Sequence, residues 1–112
     1  MRHIFFVIAI AIGSYATTLK PVSLQLKWKH QAQFMGFYMA KEMGFYKDVG
    51  LDVEFKEFEP EMNILEKIEK KEVDFAIDDS SLIFHKLNGA KVKALFPILQ
   101  TSPIALIAQQ EL

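Results

Sequence analysis

Cysteine is absent from the 112 residues. The chain therefore has no disulfide framework, no thiolate to hold zinc and no cysteine nucleophile. Glycine is scarce, and no glycine belongs to a Gly-x-Gly-x-x-Gly fingerprint, a Gly-Lys-Ser/Thr phosphate loop or a Gly-x-Ser-x-Gly elbow. That argues against nucleotide chemistry and against Ser80 or Ser81 as a nucleophile, since neither has a histidine at a useful spacing. The three histidines, His3, His30 and His85, stand alone, without the His-x-x-x-His or His/Asp/Glu spacing of a metal site. No basic stripe is interleaved with aromatics, and the formal net charge is -1, so nucleic acid is not a partner this chain is built for. No apolar run approaches the roughly 20 residues that span a bilayer. No stretch rich in Pro, Gly or Ser marks a linker, and no internal period appears.

What is present is globular in character. The chain is 51% hydrophobic and 24% charged, within the range of a folded domain, and its length allows one small domain. The start differs from the rest. Met1-Arg2-His3 is short and positive, Ile4 to Ile12 is unbroken apolar sequence, and Ser14-Tyr15-Ala16 places small residues where a signal peptidase reads. This three-part order predicts a secretory signal over residues 1–16, cut after Ala16, in preference to a buried strand or a membrane anchor. The remainder, residues 17–112, carries a net charge of -2, because the leader removes Arg2 and no acid.

Alternation in Val22-Ser23-Leu24-Gln25-Leu26-Lys27-Trp28 predicts a first strand with Val22, Leu24, Leu26 and Trp28 on one face. A helix follows from about Phe34 to Met43, with Met35, Met39 and Met43 as one stripe of a buried face widened by Phe34, Phe37 and Tyr38. Gly-Phe-Tyr occurs twice, at Gly36 to Tyr38 and Gly44 to Tyr46. The copies read as punctuation at opposite ends of that helix. Gly44 is predicted to close it in the left-handed conformation, with Phe45 packing back towards Ala40. Gly36 would allow close approach of a backbone or a ligand. Leu51 to Phe55 alternates as a second strand after the turn Asp48-Val49-Gly50. Pro60 suits the first turn of a helix reaching Lys71, with Glu66 and Lys70 paired at i, i+4 on its wet side. Glu72 to Ile77 reads as a third strand. Asp78-Asp79-Ser80-Ser81 offers caps for a helix that stops at Gly89. Lys91 to Leu99 and Ile104 to Ala108 read as a fourth and a fifth strand. This order predicts an α/β fold with a mainly parallel sheet and flanking helices.

In such a sheet ligands bind beyond the carboxyl ends of the strands. Segments Trp28 to Gln33, Glu57 to Pro60, Asp78 to Ser81 and Gln100 to Pro103 reach that edge. Trp28 could stack on a heteroaromatic ring, or pack as ordinary core. His30 reads as a solvated or hydrogen-bonded imidazole before it reads as a ligand contact. Asp78 and Asp79 would make the mouth unfriendly to anions and suit N–H donors or positive charge, unless Asp79 or Ser80 serves only as a cap. Adjacent carboxylates do not flank a bond, so the glycosidase reading is weak.

The stretch LQLKW…QAQFMGFYMAKEMGFYKDVGLDVEF resembles the opening of the solute-binding superfamily that includes thiamine-pyrimidine-precursor, nitrate and sulfonate binding proteins. Matching residues are Trp28, Gly36 to Tyr38, Ala40 to Glu42, Gly44 to Tyr46 and Asp48 to Val53. Val73-Asp74-Phe75, Asp79-Ser80-Ser81-Leu82 and Gln100-x-Ser102-Pro103 match as well. The resemblance spans about Leu24 to Ala108. It implies a type II periplasmic-binding-protein-like fold, of which residues 17–112 form the N-terminal part of the first lobe, the second lobe being missing. It implies an exported, periplasmic substrate-binding protein of an ABC-type uptake system, without metal or cofactor, for a pyrimidine thiamine precursor or a similar N-heterocycle. The cysteine of a lipid-anchored relative is absent. In the implied site Trp28 stacks on the ring, Asp78, Asp79 and Ser80 exchange hydrogen bonds with it, and Gln33 and Gln100 line the rim. The partner is an ABC permease or a membrane sensor. One branch, the thiamine pyrimidine synthase, is an enzyme with a pyridoxal-phosphate lysine and a consumed histidine. The matching places here hold Asp78 and, within a residue or so, Leu82, and the histidine before the first helix is Gln33, so enzymic activity is not expected. A third reading is an exported sensory input domain of a kinase or cyclase, to which Asp-Ser-Ser and Gln-x-Ser-Pro look closest. A reading frame continuing past Leu112 into a second lobe, a membrane span and a kinase or cyclase would mark that case.

Overall fold

The computed structural model describes residues 18–101 and 105–109. The predicted signal, residues 1–16, lies outside that range, as do Ser102, Pro103 and Ile104. Three parallel strands form one sheet: β1 (Lys20–Gln25), β2 (Leu51–Lys56) and β3 (Phe75–Ala76), in the order β2-β1-β3. Among the described residues four helices accompany them: α1 (Met35–Glu42), preceded by a 3-10 turn at Ala32–Phe34, then α2 (Phe45–Asp48), α3 (Ile64–Glu69) and α4 (Ser81–Leu87). The α/β class and the parallel sheet agree with the sequence reading.

Strand alternation fixes the register. Val22 pairs with Val53 and Leu24 with Phe55 on one face, while Pro21, Ser23 and Gln25 pair with Asp52, Glu54 and Lys56 on the other. The apolar face is turned inward, and Leu26, Phe34, Val53 and Val73 form the buried core among the described residues. β1 stops three residues before Trp28, which therefore does not end the strand but stands in the bend after it. β3 is shorter than the predicted Glu72 to Ile77 because side chains replace its first ladder bonds. The Asp74 carboxylate accepts from the Ser23 backbone N–H and hydroxyl, each at 2.8 Å, and Ser23 Oγ accepts from the Asp74 N–H at 3.0 Å.

The helix ends obey local chemistry. Gly44 follows α1 at φ +81°, the left-handed closure its sequence position predicts. Phe45, however, is half-exposed. α3 begins at Ile64 and not at Pro60, because the Asn63 side chain caps it by accepting the Glu66 N–H at 3.1 Å. Glu66 and Lys70 form the expected ion pair at 2.5 Å.

Other expectations are overturned. Met35, Met39 and Met43 share a face, but that face is about half exposed, and α1 contributes no fully buried residue. Among the described residues outside its own helix, a Cβ at Gly36 would meet no atom within 4 Å, so no other described backbone approaches there. Lys91 to Leu99 is not a strand. The Lys91 N–H donates to Glu69 Oε1 at 2.9 Å and Lys86 Nζ donates to the Val92 carbonyl at 2.8 Å. These contacts hold the start of the segment at α3 and α4, and a β-strand exists only through pairing. Residues 105–109 likewise carry no strand.

Candidate functional site

The sheet is parallel, so β1, β2 and β3 all end at one edge. Backbone bonds continue slightly beyond the ladder: the Leu26 N–H donates to the Lys56 carbonyl at 2.8 Å, and the Ile77 N–H to the Gln25 carbonyl at 2.9 Å. The segments that follow, Lys27 to His30, Glu57 and Phe58, and Asp78 to Ser80, are thereby held side by side.

Trp28 is 53% exposed, too open for a core role. One face of its indole lies on Phe58, with ring centroids 5.3 Å apart and planes inclined by 21°. The Glu57 carboxylate accepts the His30 backbone N–H at 3.0 Å. His30 Nδ1 lies 2.8 Å from the Tyr38 hydroxyl, and Tyr38 meets Phe55 edge-on at 5.4 Å between centroids. Lys41 Nζ sits 5.4 Å from the Phe55 ring centroid and donates to the Val53 carbonyl at 2.5 Å. These residues border an open hollow of about 370 Å³ lined by His30, Tyr38, Lys41, Glu42 and Phe55, which shares only His30 with the strand-end edge.

At the end of β3 the two carboxylates have different roles. Asp79 Oδ2 pairs with the Lys27 ammonium, and Asp79 Oδ1 accepts the Ser81 N–H at 2.8 Å, which caps α4. Hydrogen bonds from Lys27 and then from Ser81 hold the Asp79 carboxyl well below the usual carboxylate range. Among the described residues Asp78 Oδ1 accepts only the Asp79 N–H, at 2.9 Å. Ser80 stands at the N-cap position without a side-chain capping bond. The mouth is therefore not doubly anionic, as the sequence suggested, because Lys27 neutralises Asp79.

The edge brings Trp28, Asp78, Asp79 and Ser80 onto adjoining strand ends. Gln33 is exposed in the 3-10 turn before α1. Gln100 is exposed in a stretch without helix or strand, and among the described residues no hydrogen bond ties it to this edge. Sequence reasoning placed the segment Glu57 to Pro60 at this edge but gave no role to Glu57 or Phe58, and it missed Lys27. Phe58 had a usable signal: a large aromatic just past a strand end, like Trp28.

Gln25 was also missed. It is fully buried on β1, and its Nε2 lies 3.0 Å from each of the carbonyl oxygens of Leu26, Lys56 and Glu57. Among the described residues its Oε1 is buried without a partner, a situation that costs about 1–3 kcal/mol. Among the described residues no cluster of three His, Cys, Asp or Glu side chains could hold a metal ion. No described helix is long and apolar enough to cross a membrane.

A parallel α/β sheet whose polar and aromatic side chains gather at the strand carboxyl ends is the layout of a small-molecule-binding lobe of the periplasmic-binding type. Over residues 31–112 the chain matches the family described as NMT1: NMT1/THI5 like, and it belongs to that family. The superfamily resemblance seen in the sequence is thus correct, and the general function is that of a periplasmic-binding-type or THI5-like protein. Neither a curated protein nor a solved structure matches the chain.

Proposed function

We propose that the protein reversibly binds a pyrimidine thiamine precursor, or a similar N-heterocycle, at the carboxyl edge of its sheet. The observation that carries this reading is the indole of Trp28, stacked on Phe58 and still 53% exposed. A flat ring completes a stack of three on that indole. Asp78, with one carboxylate oxygen unspent among the described residues, accepts an exocyclic N–H. Asp79 and Ser80 stand behind it, and Gln33 and Gln100 line the rim. Export to the periplasm and delivery of the ligand to an ABC permease or a membrane sensor belong to the same proposal.

The reading is of binding without chemistry. By the resemblance, Asp78 and, within a residue or so, Leu82 stand where the synthase branch would carry its lysine and its histidine. Incubation with pyridoxal phosphate and borohydride is expected to leave no lysine adduct at this edge, and a stoichiometric adduct there would establish the synthase reading instead.

Trp28 is the single tryptophan of the sequence, so its fluorescence reports on the site alone. Titration of the full-length protein with an aminopyrimidine thiamine precursor is expected to quench that emission saturably, with matching heat in calorimetry. Heat without an emission change would move the site away from Trp28. Neither signal would end the proposal.

A further inference from the structure

Gln25 sits at the last rung of the central strand, where the ladder to β2 ends. Past that rung the Lys56 carbonyl takes the Leu26 N–H, the carbonyls of Leu26 and Glu57 have no backbone donor among the described residues, and all three lie 3.0 Å from the Gln25 amide nitrogen. The amide has two hydrogens for three acceptors, so it is fully engaged. It ties the segment that leads to Trp28 and His30 to the one that carries Glu57 and Phe58. We infer that Gln25 is the positioning residue of the aromatic platform. Its amide locks the ends of β1 and β2 together so that Phe58 backs Trp28 and Glu57 meets the His30 N–H. The inference rests on the binding role proposed above, for which the platform is the ring-recognising surface.

Packing alone does not call for glutamine at this position. The side chain is fully buried and its Oε1 finds no partner among the described residues, so an apolar residue of similar length would fill the space without stranding an acceptor. What glutamine adds is on the nitrogen side, and every bond made there goes to the backbone around the platform. Glutamine thus acts as one extra ladder rung made by a side chain, at the point where the two main chains begin to diverge.

The test reads ligand-free protein first. In the full-length chain, Gln25→Met is expected to shift Trp28 emission to the red and to raise its quenching by acrylamide, because the indole loses its fixed seat on Phe58. Val73→Ala opens a cavity in the core without touching the edge, and is expected to lower the melting temperature while leaving both Trp28 signals unchanged. Should Gln25→Met not accumulate as folded protein, Gln25→Asn, one methylene short of the carbonyls, is read in the same way. Phe58→Leu should reproduce the emission change, and adding Gln25→Met to it should change Trp28 little further, since both act on one contact. Unaltered Trp28 signals in the Gln25 variants, or equal changes in Val73→Ala, overturn the inference. With an aminopyrimidine as ligand, Gln25→Met is expected to weaken binding roughly two- to tenfold, the range of one aromatic contact. A wild-type protein that ignores the aminopyrimidine, while Gln25 still governs Trp28, refutes the binding reading and upholds the positioning role.

Discussion

The Lys27 ammonium and the Asp79 carboxylate pair across the carboxyl edge of the sheet, joining the segment after β1 to the segment after β3 over a sequence separation of 52. Both side chains keep solvent contact, at 37% and 52% exposure, so the pair contributes at most about 1 kcal/mol. Its pH dependence has a definite sign. The Asp79 carboxyl titrates lower in the folded chain than in the unfolded one, chiefly because of Lys27. Its stabilising contribution is therefore complete above the unfolded pKa of about 3.9 and lost as the pH falls towards the folded value. Urea unfolding of the wild type and of Lys27→Met is expected to show a stability gap that is constant above about pH 5 and narrows in acid. A gap that does not change with pH would mean that Lys27 contributes through its methylene stem and not its charge.

Asp78 and Asp79 should separate in mutagenesis. Both oxygens of Asp79 are engaged, one by Lys27 and one by the Ser81 N–H, whereas among the described residues Asp78 accepts only a neighbouring N–H. Asp79→Asn is expected to lower stability by about 0.5–2 kcal/mol, as cap and ion pair weaken together. Asp78→Asn preserves the acceptor for the Asp79 N–H, so its melting temperature should match the wild type while its affinity for an aminopyrimidine falls. Calorimetry beside thermal melting decides the matter. If both variants lose affinity and stability in proportion, the carboxylates are structural and do not contact the ligand.

Asn63 provides a stability probe at another place. Its side chain accepts the Glu66 N–H at 3.1 Å and sets the first residue of α3. Asn63→Ala should cost about 0.5–2 kcal/mol in chemical denaturation, and Asn63→Ser should recover most of it. Ligand affinity should be the same in all three proteins, because α3 supplies none of the edge residues.

These contacts show which features could be read in the sequence. Glu66 with Lys70, Gly44 as a helix stop and the alternation of Val22 and Leu24 are all local, fixed by spacings of a few residues and by backbone sterics. The parallel α/β class followed from their order. The methionine stripe was only half legible: periodicity tells which side chains share a helix face, not whether anything covers it. The fourth strand failed for a related reason. Residues 91–99 have the composition of a strand, but a strand is made by its partner, and Lys86 and Glu69 hold this segment elsewhere. At the site, Trp28 and the Asp78-Asp79 pair stood out by residue type. Lys27 did not, since its role depends on a carboxylate 52 positions away. Gln25 was hidden within an alternating strand, where a polar residue is read as facing solvent.

The two Gly-Phe-Tyr copies give a final pair of mutants with opposite signs. Among the described residues beyond their immediate chain neighbours and own helix, neither Gly36 nor Gly44 has an atom within 4 Å of where a Cβ would stand, so packing does not distinguish them and only the backbone does. Gly36 is the second residue of α1, where glycine is worse than alanine by up to about 0.5–1 kcal/mol through the freedom it loses on folding. Gly36→Ala should therefore stabilise the protein by that amount. Gly44 stands at φ +81°, a left-handed conformation that costs an alanine about 1–2 kcal/mol. Gly44→Ala should destabilise by that amount, and Gly44→Asn by less, because asparagine tolerates the left-handed region. Urea unfolding of the three variants at one pH measures the difference. A loss on Gly36→Ala would show that the space beside α1 is needed by something that packs there in the working protein, and the exposed Met35, Met39 and Met43 face would be the first place to look for it.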